Sequence, residues 1–373
     1  MKGRIQPIDG LRMIAAFGVM WIHTWAKFGY PTLQIGPFDL YKLIAIVGNG
    51  VDFFFVISGF CMYLMAGNKE YSVNAYLHFI KKRFLRIAPA FYVAVIVYGI
   101  IKIYSDPFFP LLRETIFHFS FLNNFTGSTI SSPFWSIATE WDFYIILPIL
   151  VFMNKKYSLA HNLLFLSFIS IVLLCIVNNG VLNEDFWQWQ IFVRFPEFAV
   201  GMYAAHLYKN GKTVPNFFKG SKGLLMAFTT MYIGRIFKFS SFIAAVGGFG
   251  FFFKSIADAV MVSGFAILLL HVITQRTLIS EFLSGKIITW LGRISYSVYL
   301  WHSLVIYFLG NFFIKLPFSN LNVVVAFIGI SLATIIVSYI SYTFLEAFYF
   351  SKQFKINTGR VEEKDTVIKS AIL

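Results

Sequence analysis

The chain has 373 residues, 58% of them hydrophobic, 20% aromatic and 13% charged, with a net charge of +14. Soluble domains run at about 45–50% apolar and about 25% charged residues, so these proportions exclude an ordinary soluble fold. The positive charge does not mark a nucleic-acid binder either, because it gathers in alternate connections between apolar runs.

Ten membrane-length spans are expected, near residues 8–28, 44–66, 84–105, 133–153, 161–178, 189–208, 223–239, 255–273, 294–314 and 321–345. The predicted fold is therefore all-α: a polytopic membrane protein of about ten transmembrane helices. One set of connections holds Lys69 and Lys81 to Arg83, then Lys209, Lys212, Lys219 and Lys222, and finally Lys352 to Lys369. The opposite set holds only Lys27, Lys42, Arg113, Lys238, Lys254 and Lys315. By the positive-inside rule both termini are cytoplasmic. The basic start and first apolar run resemble a signal peptide, but no small-residue cleavage site follows and Arg12 interrupts the run, so a retained first helix is expected.

An integral membrane domain over residues 1–349 and a polar cytoplasmic tail over 350–373 follow from this division. The connection 106–132 contains "LLRETIFHFSFL", readable as an amphipathic helix at the interface. Segment 240–254, "SSFIAAVGGFGFFFK", is too short to span alone and is read as an extension of the seventh span or a re-entrant piece. Cys61 and Cys175 lie within spans and form neither a disulfide framework nor a metal motif.

The first span, "LRMIAAFGVMWIHTW", keeps an arginine and a histidine eleven positions apart. At about 100° per residue they differ by only about 20° in direction, and the helical rise separates them by about 16 Å. Arg12 and His23 thus share a face, one near the cytoplasmic boundary and the other toward the outer half. Ionisable side chains at such depth are costly and usually functional. In "KKRFLRIAP", Arg83 and Arg86 share the cytoplasmic end of the third span, and their forked guanidinium groups suit phosphate. Lys81 and Lys82 at the same mouth are explained first as anchors. With Arg12, this group predicts a polyphosphate site on the cytoplasmic side.

Acidic residues also fall inside spans: Asp52 in "GNGVDFFFVISGF", and Glu140 and Asp142 in "FWSIATEWDFY". Two readings stand side by side. They balance the charge of Arg12, Arg86 or Arg194, or Glu140 or Asp52 orients His23 as a carboxylate orients a catalytic imidazole. Glu197 and Arg194, three apart, are expected to pair with each other. His206, Asp258, His271 and His302 read as structural or interfacial, and Glu346 as the partner of a basic residue. No phosphate loop, metal-binding histidine pair or nucleophile elbow is present in the sequence, so no metal site is expected.

Taken in order, "IDGLRMIAAFGVMWIH", "GVDFFFVISGF", "RFLRIAP", "FWSIATEWDFY" and "ISYSVYLWH" resemble the acyltransferase-3 family of integral membrane O-acyltransferases. The resemblance runs from Arg4 to about Glu346. It implies transfer of an acyl group, often acetyl, from cytoplasmic acyl-CoA to a hydroxyl of an extracytoplasmic glycan such as lipopolysaccharide or capsule. Acyl-CoA, with acetyl-CoA foremost, is then a co-substrate, and no tightly bound cofactor is expected. The expected partners are acyl-CoA, a glycan or lipid-linked saccharide acceptor and membrane lipids, with no nucleic acid and with homo-oligomerisation left open. The setting would be a bacterial cytoplasmic (inner) membrane.

Carried onto this sequence, the resemblance makes His23 the general base, with Glu140 or Asp52 behind it, and gives the donor to Arg12, Arg83, Arg86 and Lys82. The chain departs from the family pattern in "AFYF" after Glu346 and in Trp141 and Asp142 beside the fourth-span acid. The short stretch after Glu346 leads to an expectation of a standalone form without an appended esterase-like domain. A proton-coupled transporter with His23, Asp52 and Glu140 as its relay is the competing reading.

Overall fold

The computed structural model describes residues 4–36, 38–66, 73–126, 129–156, 158–211, 219–239, 250–315 and 322–347. Ten long helices dominate: α1 (Gln6–Lys27), α2 (Gly50–Ala66), α3 (Val73–Ser105), α4 (Trp135–Lys156), α5 (Leu159–Asn178), α6 (Ile191–Lys209), α7 (Gly220–Phe239), α8 (Gly250–Thr274), α9 (Ser295–Ile314) and α10 (Asn322–Ser341). The strand content among the described residues is one two-residue pair, Gln34–Ile35 against Phe38–Asp39. The protein is an all-α polytopic membrane protein.

Seven of the helical segments are long and apolar enough to cross a membrane by length and composition, including all but α1, α6 and α7. Those three are less apolar because they carry ionisable groups: Asp9, Arg12 and His23 on α1, Arg194 and Glu197 on α6, and Arg235 and Lys238 on α7. Helices α5 and α10 expose most of their length, as lipid-facing helices do. The tail 350–373 lies outside the described residues, as does most of the segment 240–254, whose last residues already open α8. In the connection between α3 and α4, Leu111–Phe119 forms the short helix expected there.

Local chemistry sets the ends of α1. Pro7 and Asp9 occupy its first turn, where a missing N–H and a negative charge are both tolerated. Gly29, at φ 74°, ends it just after Phe28. Helix α1 packs on α2, on α9 and on the short helix Lys286–Arg293. Helices α2 and α6 touch backbone to backbone, since a Cβ on Gly201 would lie 2.0 Å from the Val56 carbonyl oxygen. A Cβ on Gly59 would meet the Phe198 carbonyl at 2.2 Å. Ser58 and Gly59 are therefore a close-packing point in a continuous helix, not a break. Phe198 then stacks on Phe55 and Phe143 at 4.6 and 4.2 Å, tying α2, α4 and α6 together.

Candidate active site

A cavity of about 610 Å³ opens between α1, α2, α3, α4 and α9, within the range of ligand sites. Arg4 and Arg293, both exposed, mark its mouth. Six cationic side chains line it (Arg4, Arg12, Arg83, Arg86, Lys209 and Arg293) against two carboxylates, Asp9 and Glu140. Asp9 is already engaged by Arg4 through two contacts, at 2.5 and 2.8 Å. The balance is strongly cationic and suits a polyanion.

Arg12 and Arg83 are held by contacts from neighbouring helices. Arg12 donates from Nε to Ser295 Oγ at 3.4 Å, at the start of α9. Arg83, buried, donates to Met65 Sδ at 3.1 Å and lies over the rings of Phe79 and Tyr144 at 5.5 and 5.8 Å. Glu140 accepts hydrogen bonds from Ser58 Oγ at 2.7 Å and from Tyr144 Oη at 2.5 Å. Tyr144 stands four residues on, on the same face of α4. Lys82, expected with the arginines, is not among the lining residues.

The inner end of the cavity is a wall of Val51, Phe54 and Tyr299. Phe54 and Tyr299 meet edge to face at 6.0 Å. The Tyr299 hydroxyl donates to the Pro133 carbonyl at 2.7 Å and lies 2.6 Å from Ser136 Oγ. One turn beyond Tyr299, on the same helix, is His302, whose ring stacks on that of His23 at 5.1 Å. His23 Nδ1 lies 3.0 Å from His302 Nε2. His302 is fully buried, whereas His23 is half-buried. Arg12 meets α9 at Ser295 and His23 meets it at His302, so α1 and α9 run parallel. The shared face read from the eleven-residue spacing is the face that packs on α9.

Two expectations are corrected here. Among the described residues, His23 is partnered by His302 and by no carboxylate. Glu140 is committed to Ser58 and Tyr144, and Asp52 accepts from Asn49 Nδ2 at 2.9 Å and pairs with Arg194 at 3.3 Å. The reason is angular: Val51 faces the cavity, and one residue on, about 100° round the helix, Asp52 faces α6. His23 is not among the residues lining the cavity, whereas Phe54 and Tyr299 are. Second, Glu346, in a π-helical turn at Tyr342–Glu346, accepts a hydrogen bond from Ser297 Oγ and has no bonded basic partner among the described residues. The expected pair of Arg194 and Glu197 is present at 3.0 Å. Because His23, Asp52 and Glu140 bond to separate partners, they form no hydrogen-bonded relay.

Sequence reasoning missed Arg4, Lys209 and Arg293 as cavity residues, because basic residues in connections report topology first. It also missed His302, although the motif "ISYSVYLWH" placed a second histidine at the depth of the first.

Fold and site together define a polytopic helical membrane protein with a cationic cavity at one end of its bundle and a histidine pair beyond it. The chain belongs to the acyltransferase-3 family, described as an acyltransferase domain, whose sequence profile matches residues 5–343. It is 26% identical over 375 residues to the peptidoglycan O-acetyltransferase OatA of Listeria monocytogenes, covering 92% of this chain and 55% of that protein. It is 23% identical over 378 residues to the O-acetyltransferase OatA of Staphylococcus aureus, covering 93% and 57%. A putative O-acetyltransferase of Staphylococcus aureus strain MSSA476 is 26% identical over 405 residues, covering 100% of this chain and 62% of its own length. The chain thus spans little more than half the length of these relatives. No solved structure matches it.

Proposed function

We propose that this protein is a membrane O-acyltransferase that moves an acetyl group from cytoplasmic acetyl-CoA to a hydroxyl of an extracytoplasmic glycan in a bacterial cytoplasmic membrane. The observation that carries the reading is one helix holding Arg12 in the cationic cavity and His23 beyond its inner wall. Arg12, Arg83 and Arg86 grip the CoA phosphates by bidentate, charge-assisted bonds, with Arg4, Lys209 and Arg293 drawing the donor to the mouth. The pantetheine arm runs inward past Glu140 and Ser58 and brings the thioester to the Phe54–Tyr299 wall. Rotation of the Tyr299 ring away from Pro133 and Ser136 then admits the thioester carbonyl to His23.

There the His23 imidazole removes the acceptor hydroxyl proton as the oxygen attacks the carbonyl carbon. The C–S bond breaks, the ester forms, and the imidazolium returns its proton to the departing CoA thiolate. General base catalysis of this kind contributes about 10²–10⁴ in rate. The Listeria relative, named as a peptidoglycan O-acetyltransferase, favours peptidoglycan as the acceptor over lipopolysaccharide or capsule.

The test is acetyl transfer by purified His23→Ala protein in liposomes. Its turnover should fall to background with CoA binding intact. Turnover at the wild-type level removes His23 from the chemistry.

A further inference from the structure

We propose that His302 is the positioning residue for this reaction: it holds His23 in a single tautomer and so presents the Nε2 lone pair of His23 to the acceptor hydroxyl. The inference rests on the reading of His23 as the base.

The argument starts from an atom that can only accept. The Tyr299 backbone carbonyl oxygen lies 2.6 Å from His302 Nδ1. A carbonyl has no proton to give, so His302 Nδ1 carries one. His302 is fully buried and has no carboxylate among its hydrogen-bond partners within the described residues, and an unpaired cation in such a place is costly. The ring is neutral, so His302 Nε2 is a bare acceptor. His23 Nδ1 lies 3.0 Å from that nitrogen. Two bare nitrogens do not bond, so the proton of this contact sits on His23 Nδ1. Ser303 Oγ, 3.2 Å from His302 Nε2, adds a second donor to the same acceptor and leaves the polarity unchanged. His23, neutral and protonated on Nδ1, keeps its lone pair on Nε2, the ring nitrogen not engaged by His302.

The turn that carries His302 is itself braced. Tyr98, from α3, donates its hydroxyl to the Leu300 carbonyl at 2.8 Å and accepts from the Leu304 N–H at 2.9 Å. It is thus inserted into the helical ladder of α9 around His302. Tyr299 closes the arrangement, since its side chain forms part of the cavity wall while its carbonyl fixes the second histidine. A neutral histidine in the place of a carboxylate gives direction without charge. It specifies which nitrogen of His23 is basic and leaves the charge of the imidazolium to its short lifetime beside the thiolate.

The direct test uses the wild-type protein, labelled with ¹⁵N-histidine in lipid bilayers, by solid-state NMR above neutral pH. The His23 signals are assigned by their loss in His23→Asn. The expected result is a protonated Nδ1 and an unprotonated Nε2, the minor tautomer of a free neutral histidine side chain. A proton on His23 Nε2 overturns the proposal.

Turnover gives the second test. His302→Phe keeps the ring and removes the acceptor, and should lower kcat by about 100-fold with the KM for acetyl-CoA unchanged. His302→Gln places an amide oxygen where Nε2 stood and should recover kcat to within about tenfold of wild type. A Phe variant at wild-type kcat, or a Gln variant as inactive as the Phe variant at an unchanged thermal midpoint, contradicts it. Full activity of His23→Ala would instead remove the base reading while the tautomer result stood.

Discussion

Arg86→Ala removes one guanidinium from the cavity and leaves the rest of the cationic lining in place. A hydrogen bond to a charged group contributes about 1.5–3 kcal/mol net, and each 1.4 kcal/mol is about tenfold in Kd. The gross Coulomb attraction at 4 Å, about 4 kcal/mol in a partly screened site, sets the ceiling. Arg12 and Arg83 share the same polyanion and take up part of the loss, so CoA should bind about 10–30-fold more weakly. Calorimetry on the purified protein in lipid nanodiscs, at about 0.15 M salt where the screening length is about 8 Å, measures this directly. The wild-type Kd should also weaken as salt is raised. A Kd within twofold of wild type, in a variant with an unchanged thermal midpoint, would show that Arg86 is an interfacial anchor and that the phosphates bind elsewhere.

Four further outcomes follow from the same geometry. Tyr299→Ala takes away the ring between the donor cavity and the histidines and should raise CoA release several-fold in the absence of acceptor, read with a thiol reagent; an unchanged background means Tyr299 is no barrier. Asp52→Asn leaves Glu197 as the one carboxylate paired with Arg194 among the described residues and should cost about 1–3 kcal/mol of stability, seen as a lower thermal midpoint, while kcat stays within threefold of wild type; a large kcat loss would restore Asp52 to the chemistry. Gly201→Ala drives a methyl into the Val56 carbonyl and should destabilise by about 1–3 kcal/mol, measured by denaturation in mixed micelles, with no loss expected if α2 and α6 separate freely. Burial depresses His118 below its ordinary value of 6.5, only partly offset by the Glu114 carbonyl and carboxylate. The folded protein then resists a proton that the unfolded chain accepts, so stability should fall as pH drops below about 6.5. That slope should be shallower in His118→Phe, and an identical pH dependence would contradict it.

Much of the site was legible because α1 is an unbroken helix. Eleven residues make close to three turns, so Arg12 and His23 had to share a face, and that face is the one α9 covers. Arg83, Arg86 and Glu140 were legible as ionisable residues at membrane depth, and they line one cavity with Arg12. Of the two readings offered for Asp52, charge balance for Arg194 is the one present; Asp52 does not meet His23 because a single-residue step on a helix redirects a side chain by about 100° and turns it to α6. His302 was undervalued because a histidine in a span looks the same whether it is packed or paired. Only the register between α1 and α9, parallel and eight helices apart in order, brings it to His23. The Phe54–Tyr299 wall is likewise a product of packing between α2 and α9, which no local pattern encodes.

The most direct measurement is a cryo-electron microscopy map of the protein with a non-transferable acetyl-CoA analogue. The account predicts the phosphates against Arg12, Arg83 and Arg86, with the acyl carbonyl at the Phe54–Tyr299 boundary pointing toward His23. CoA density away from these arginines, or an acyl group separated from His23 by an intact wall in every conformation resolved, would contradict it.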